Sequence, residues 1–189
     1  MFLPGATSNG TPVRTMIDKL FTKLRTNNLI DWGVVFLGVV GVPGLAERLR
    51  PSFVKDFAND QLEKISIEDP LLDIVVDLAT DSDRTSIELR EALEKMCEVE
   101  SIDMSRARRR WRAVSLEGIL SDLDPNPVYG LIKLSEFWAA WGWPDDCPTS
   151  MRSNNEISPQ DYYLQSNYEH VIADHRSWIA KEFVRQTTD

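Results

Sequence analysis

Residues Asn126 to Pro148, NPVYGLIKLSEFWAAWGWPDDCP, are the most apolar, most aromatic and most sharply punctuated stretch of the chain. Asn126 suits a helix N-cap, and Pro127 suits the first helical position, where its missing N–H has no intrahelical partner to lose. Val128, Leu131, Leu134, Trp138 and Trp141 then recur at steps of three and four, with Ile132 and Phe137 widening the stripe. That period belongs to a helix buried along one broad face. Gly142 is a natural stop, and Pro144 forbids continuation. A helix this apolar must be covered by others, so the sequence predicts an all-α domain packed around it.

The rest of the chain supplies the covers. Met16, Ile17, Leu20, Phe21 and Leu24 form a helical stripe that Asn27-Asn28 ends. Asp31 caps an apolar segment through Val40, expected as a helix buried nearly all round. A short helix to Arg50 and a helix capped by Ser52 and running to about Ile65 are expected next. Asp69-Pro70 opens one to about Ala79. Thr85 with Glu88 is a capping box for a helix to about Glu100. A long helix is expected from Ile102 to Leu123, then the stretch described first. Residues 142–157 read as one irregular loop, and Ser158-Pro159 and Ser166 start the last helices. The fold expectation is a compact multi-helix single domain over residues 13–189, behind a disordered 1–12. At 189 residues a chain can bury about 70% of its unfolded surface and needs no staples.

Charge narrows the function. The net charge is −9, which repels phosphate and argues against nucleic acid or an anionic membrane as partner. The apolar run Trp32 to Val42 is too short to span a bilayer, and the N-terminus lacks the pattern of a signal peptide. A cytoplasmic protein is expected. Cys97 and Cys147 have no metal-ligand spacing. His170 and His175 lie five apart, off one helical face, and His170 with Asp174 lacks a third ligand. No catalytic residue, cofactor or metal is assigned. A Cys147–His pair is the weak enzymatic alternative.

Two charge runs stand out. Arg106, Arg108, Arg109, Arg110 and Arg112 surround Trp111 on the long helix. Their expected partners are Glu91, Glu94, Glu98 and Glu100 of the preceding helix, with a phosphate site as the alternative. Asp69, Asp73, Asp77 and Asp81 form an acidic ladder with no Lys or Arg between Lys64 and Arg84 to relieve it. Like charges four apart destabilise a helix by roughly 0.2–0.5 kcal/mol per pair. From Asp56 through Asp103 there are 15 acidic and 4 basic residues. Two readings fit: a solubilising face, or a surface that steers a basic partner. In the second, Asp73, Asp77, Asp81, Glu88 and Glu91 meet the partner. Asp145 and Asp146 of the WPDDCP loop are further candidates, because stiff exposed loops often carry function.

Four places together carry a resemblance: Leu29-Ile30-Asp31-Trp32 with Phe36-Leu37-Gly38, the helix around Arg110-Trp111-Arg112, Phe137-Trp138 with Gly142-Trp143-Pro144, and Tyr162-Tyr163 with Trp178-Ile179. They resemble a bacterial family known only as a domain of unknown function (2247-like). The resemblance implies an immunity protein of a polymorphic or contact-dependent toxin system, which binds a cognate toxin and blocks it. Many such toxins are basic nucleases, and an acidic binder suits them. The resemblance defines no catalytic residues. A housekeeping adaptor or scaffold is the second reading and a hydrolase the third.

Overall fold

The structure is a computed structural model that describes residues 15–80, 84–152 and 158–187. Within them every regular element is a helix: α1 Met16–Thr26, α2 Trp32–Val40, α3 Pro51–Leu62, α4 Leu72–Thr80, α5 Ser86–Val99, α6 Met104–Ser121, α7 Pro127–Ala140, α8 Thr149–Arg152, α9 Pro159–Tyr162 and α10 Gln165–Thr187. The expectations for residues 1–12, for Asp81 and for residues 153–157 lie outside the described residues. None of these helices is long and apolar enough to cross a membrane.

The end signals act where the sequence places them. Asp31 accepts from the Val34 N–H, and Asn126 from the Val128 N–H, while Thr85 and Glu88 form the reciprocal capping box. Three helices stop alike. Asn28, Ser101 and Gly142 take positive φ, and the next N–H in each case bonds back five residues, as Trp143 N does to Trp138 O at 2.9 Å. This closure satisfies carbonyls that the helix end would otherwise leave open.

Some boundaries differ. Arg50 is the N-cap of α3 and Pro51 its first residue, so Ser52 falls inside the helix; the fixed φ of proline suits that position. Residues 41–50 are turns, not a helix. Gly41 and Gly44 both sit at positive φ there, which a right-handed helix does not accommodate. The loop after Gly142 is interrupted by α8.

The hub also differs. The helix α6, not α7, is the central one: it packs against α1, α2 and α10, whereas α7 packs chiefly on α10. Trp111 of α6 is fully buried, donates from Nε1 to Val34 O at 2.8 Å, and stacks at 6.3 Å from the Phe21 ring. The helices α2 and α6 approach closely, since a Cβ on Gly33 would lie 2.7 Å from Ile102 Cγ2 and 3.1 Å from the Ala107 Cβ. In α7, Leu131, Leu134, Phe137, Trp138 and Trp141 are buried as expected, but Val128 and Ile132 are exposed. The buried stripe is therefore narrower than the apolar one, because α7 sits at the edge.

Candidate partner-binding surface

The helices α4 and α5 pack against each other, and α4 also lies on α3. Each has a clean inner face: Val75, Leu78 and Ala79 in α4, and Leu89, Leu93, Met96 and Cys97 in α5. The outer positions follow from the helical period. They carry Asp73, Val76 and Asp77 on α4, and Ile87, Glu88, Glu91, Glu94 and Glu98 on α5, all exposed. Asp73, Glu91, Glu94 and Glu98 form no ion pair among the described residues. Val76 and Ile87 stand exposed among these acids, with Ile87 67% accessible. The sequence reading missed both; a signal was present, since each falls off its helix's apolar stripe.

Three details qualify the acidic ladder. Asp77 is relieved by Arg84, at 3.2 Å, so the reading of an unrelieved ladder fails at that rung. Glu88 is partly committed to capping, accepting from the Thr85 N–H and hydroxyl, both at 2.8 Å. Glu91 and Glu94 line a cavity of about 550 Å³ that Arg48, Arg84 and Arg90 also line. Negative potential is therefore weakened at that end. At the other end it is concentrated. Burial, then repulsion by Asp69 and Asp31, raises the Glu100 carboxyl above its ordinary value, against a hydrogen bond from Trp32 that lowers it.

The basic run of α6 has the opposite fate. Four of its arginines turn inward while Arg108 stays exposed, and their partners are not the glutamates of α5. Arg110 pairs with Asp31, the same carboxylate that caps α2, and Arg106 approaches it at 3.9 Å. Arg109 reaches Glu182 at 3.3 Å, and Arg112 reaches Asp146 at 2.7 Å. The Arg112 guanidinium also sits 5.4–5.9 Å from the ring centroids of Trp138, Trp141 and Trp178. Burial pulls Arg110 and Arg112 below the usual guanidinium value, while Asp31 and Asp146 push back.

Asp146 is thus engaged inside the molecule, and its backbone oxygen also accepts from Trp178 Nε1 at 2.6 Å. Asp145 beside it is exposed. The loop candidates separate: Asp145 faces solvent, and Asp146 staples the loop onto α6 and α10.

The histidines and cysteines are held by the fold. Trp138 Nε1 can only donate, so the His175 Nε2 at 2.9 Å accepts, and its Nδ1 carries the proton that goes to Val171 O at 2.7 Å. Burial lowers the His175 pKa, against the Val171 hydrogen bond and Asp174. Both ring nitrogens are occupied, which leaves none for Cys147. His170 is exposed, and Asp174 accepts from the Ser150 hydroxyl at 2.7 Å. Burial first, then Asp31, Glu100 and Glu94, pushes the Cys97 thiol up to about 12, so it stays a protonated small hydrophobe. Among the described residues no group of three or more His, Cys, Asp or Glu is placed to hold a metal ion.

No curated protein and no solved structure matches the chain. One family profile does match, over residues 21–183, a span from the middle of α1 into the last turns of α10. On that match the chain belongs to DUF2247, a family of uncharacterized proteins conserved in bacteria.

Proposed function

We propose that this chain is an immunity-type protein that binds a cognate bacterial toxin domain and neutralises it by covering a basic surface. The observation that carries the reading is the outer positions of α4 and α5, where exposed carboxylates share the helix faces with the exposed apolar side chains Val76 and Ile87. A protein interface needs both: apolar anchors that exclude water, and charges that steer and orient. Solubility alone would be served by charge, and it gives no reason for Ile87 to stand in water. In this reading Asp73, Asp77 and Glu91 act through their field with Glu88 beside Glu91 on α5, Asp81 continues the ladder in sequence, and Asp145 of the loop after α7 is a separate contact. Neutralisation is by occupation and involves no bond chemistry of this chain.

The reading is tested by co-expressing the chain with the product of the neighbouring gene in bacteria. Protection of growth, together with co-purification of the two proteins, is the expected result. Protection should be lost on Val76→Asp with Ile87→Asp, a double change on exposed positions that leaves the helical spectrum intact. No complex from well-folded protein would return the chain to the adaptor reading.

A further inference from the structure

We propose that the cleft between α1, α6, α7 and the turn at residues 43–45 is a binding site for a small neutral apolar molecule carrying one hydrogen-bonding oxygen. The cleft has a volume of about 410 Å³, within the range of small-molecule sites. Its walls are mainly apolar, from Leu20, Leu45, Ile119, Phe137 and Ala140, with Met16 at the rim. Leu20 and Phe137 are buried and belong to the core, so the floor is preformed. Met16 is 42% exposed, and its Cε lies 3.1 Å from where a Cβ on Gly118 would stand. An unbranched thioether lying over a glycine is an adaptable cover.

One polar group marks the site. Ser115 lines the cleft and is 4% exposed, yet its hydroxyl has no hydrogen-bond partner among the described residues. A serine within a helix ordinarily donates to a carbonyl of the preceding turn. Ser121 of the same helix does so, to Gly118 O at 2.7 Å. A buried hydroxyl left unpaired is costly and uncommon in a well-packed interior. A ligand oxygen in the cleft would remove that cost. The charges at the mouth are mixed, Asp122 and Glu136 with Lys133, and Lys133 sits 3.9 Å from Glu136. The balance of two acids against one base disfavours an anion, and the apolar walls favour a neutral ligand. Neither α4 nor α5 contributes to this cleft, so the site stands or falls separately from the acidic surface.

The test uses two probes of equal size, p-cresol and p-xylene, titrated into the full chain labelled with methyl-13C methionine. The expected result is a saturable shift of the Met16 methyl with both probes, while the methyls of Met96 and Met104 stay in place. Ser115→Ala should weaken p-cresol roughly fivefold to tenfold, the factor one neutral hydrogen bond sustains, and leave p-xylene unchanged. Ala140→Phe, on an exposed position at the cleft, should abolish both shifts and keep the helical spectrum. It decides the matter if Ser115→Ala does not fold. No Met16 shift in the wild-type protein overturns the proposal. So does an equal effect of Ser115→Ala on the two probes, or binding that survives Ala140→Phe.

Discussion

The two charge runs of this chain look alike in sequence and behave as opposites in the fold. On α6, Arg110 and Arg112 are buried, and Asp31, Glu182 and Asp146 supply carboxylates to the run from α2, α10 and the loop after α7. On α4 and α5, Asp73 and Glu91 face water without an ion pair among the described residues. The difference is one of position. The central helix is covered along most of its length, so the charges that turn inward on it must be matched, and Arg108 alone of the run is left to solvent. A helix at the edge of the molecule can leave its charges to solvent. Buried pairs fix geometry, because losing one partner strands the other. Exposed like charges cost little and remain available to a partner.

The sharpest way to break this comparison is to remove one carboxylate from each region. Asp146→Ala leaves Arg112, whose side chain is 6% exposed, without its counterion, and should cost ~3–5 kcal/mol. Asp77→Ala removes a side chain that is 65% exposed and paired to Arg84; the change should stay within about 1 kcal/mol of zero. Urea unfolding of the two variants measures the gap. Equal losses would erase the distinction.

Trp111→Ala tests whether α6 is the hub at a comparable scale. The indole is fully buried between α1 and α2, and its loss should cost ~3–5 kcal/mol. A loss under about 1 kcal/mol would put the centre elsewhere.

A smaller effect comes from His175, which connects the basic helix's aromatic cage to α10 through Trp138. Its folded pKa lies below the unfolded 6.5. The unfolded chain therefore takes up a proton first as pH falls. The contribution of neutral His175 is fully present above about pH 6.5 and is lost as pH drops below it, by at most about 1.4 kcal/mol per pH unit. Melting curves of the wild-type protein and His175→Gln between pH 7.5 and 5.5 should show this slope in the first and not in the second.

Much of the fold is legible locally. Asp31, Thr85, Asn126 and Gly142 mark helix ends by chemistry confined to a few residues, and the buried positions of α1 and of the C-terminal half of α7 follow the period. What is not legible is long-range. Arg112 and Asp146 are 34 residues apart, and Arg110 and Asp31 are 79 apart. No local rule says which carboxylate a buried arginine will find, so the sequence pairs the arginines of α6 with the nearest glutamates, those of α5, when their partners are Asp31, Asp146 and Glu182. For the same reason α7, the most apolar stretch, looks central and lies at the side. The candidate surface was legible in its charge, through Asp73, Asp77 and Glu91. Its exposed apolar positions, Val76 and Ile87, were legible only as departures from each helix's apolar stripe, whereas the pairing of Asp77 with Arg84 required the fold.

The central functional claim is that the acidic face is free to steer a basic partner. It is tested most directly by the association rate with the proposed toxin partner, once co-expression has identified it, at low and high salt. The comparison is between the wild-type chain and a chain carrying Asp73→Asn, Asp77→Asn and Glu91→Gln. The wild-type rate should fall steeply between 0.01 and 0.5 M salt, because exposed charges are screened beyond about 10 Å at 0.1 M. The triple variant should melt within a few degrees of the wild type and associate at least tenfold more slowly at low salt, with a flattened salt dependence. Equal association rates at low salt would contradict the account and remove this face from the interface.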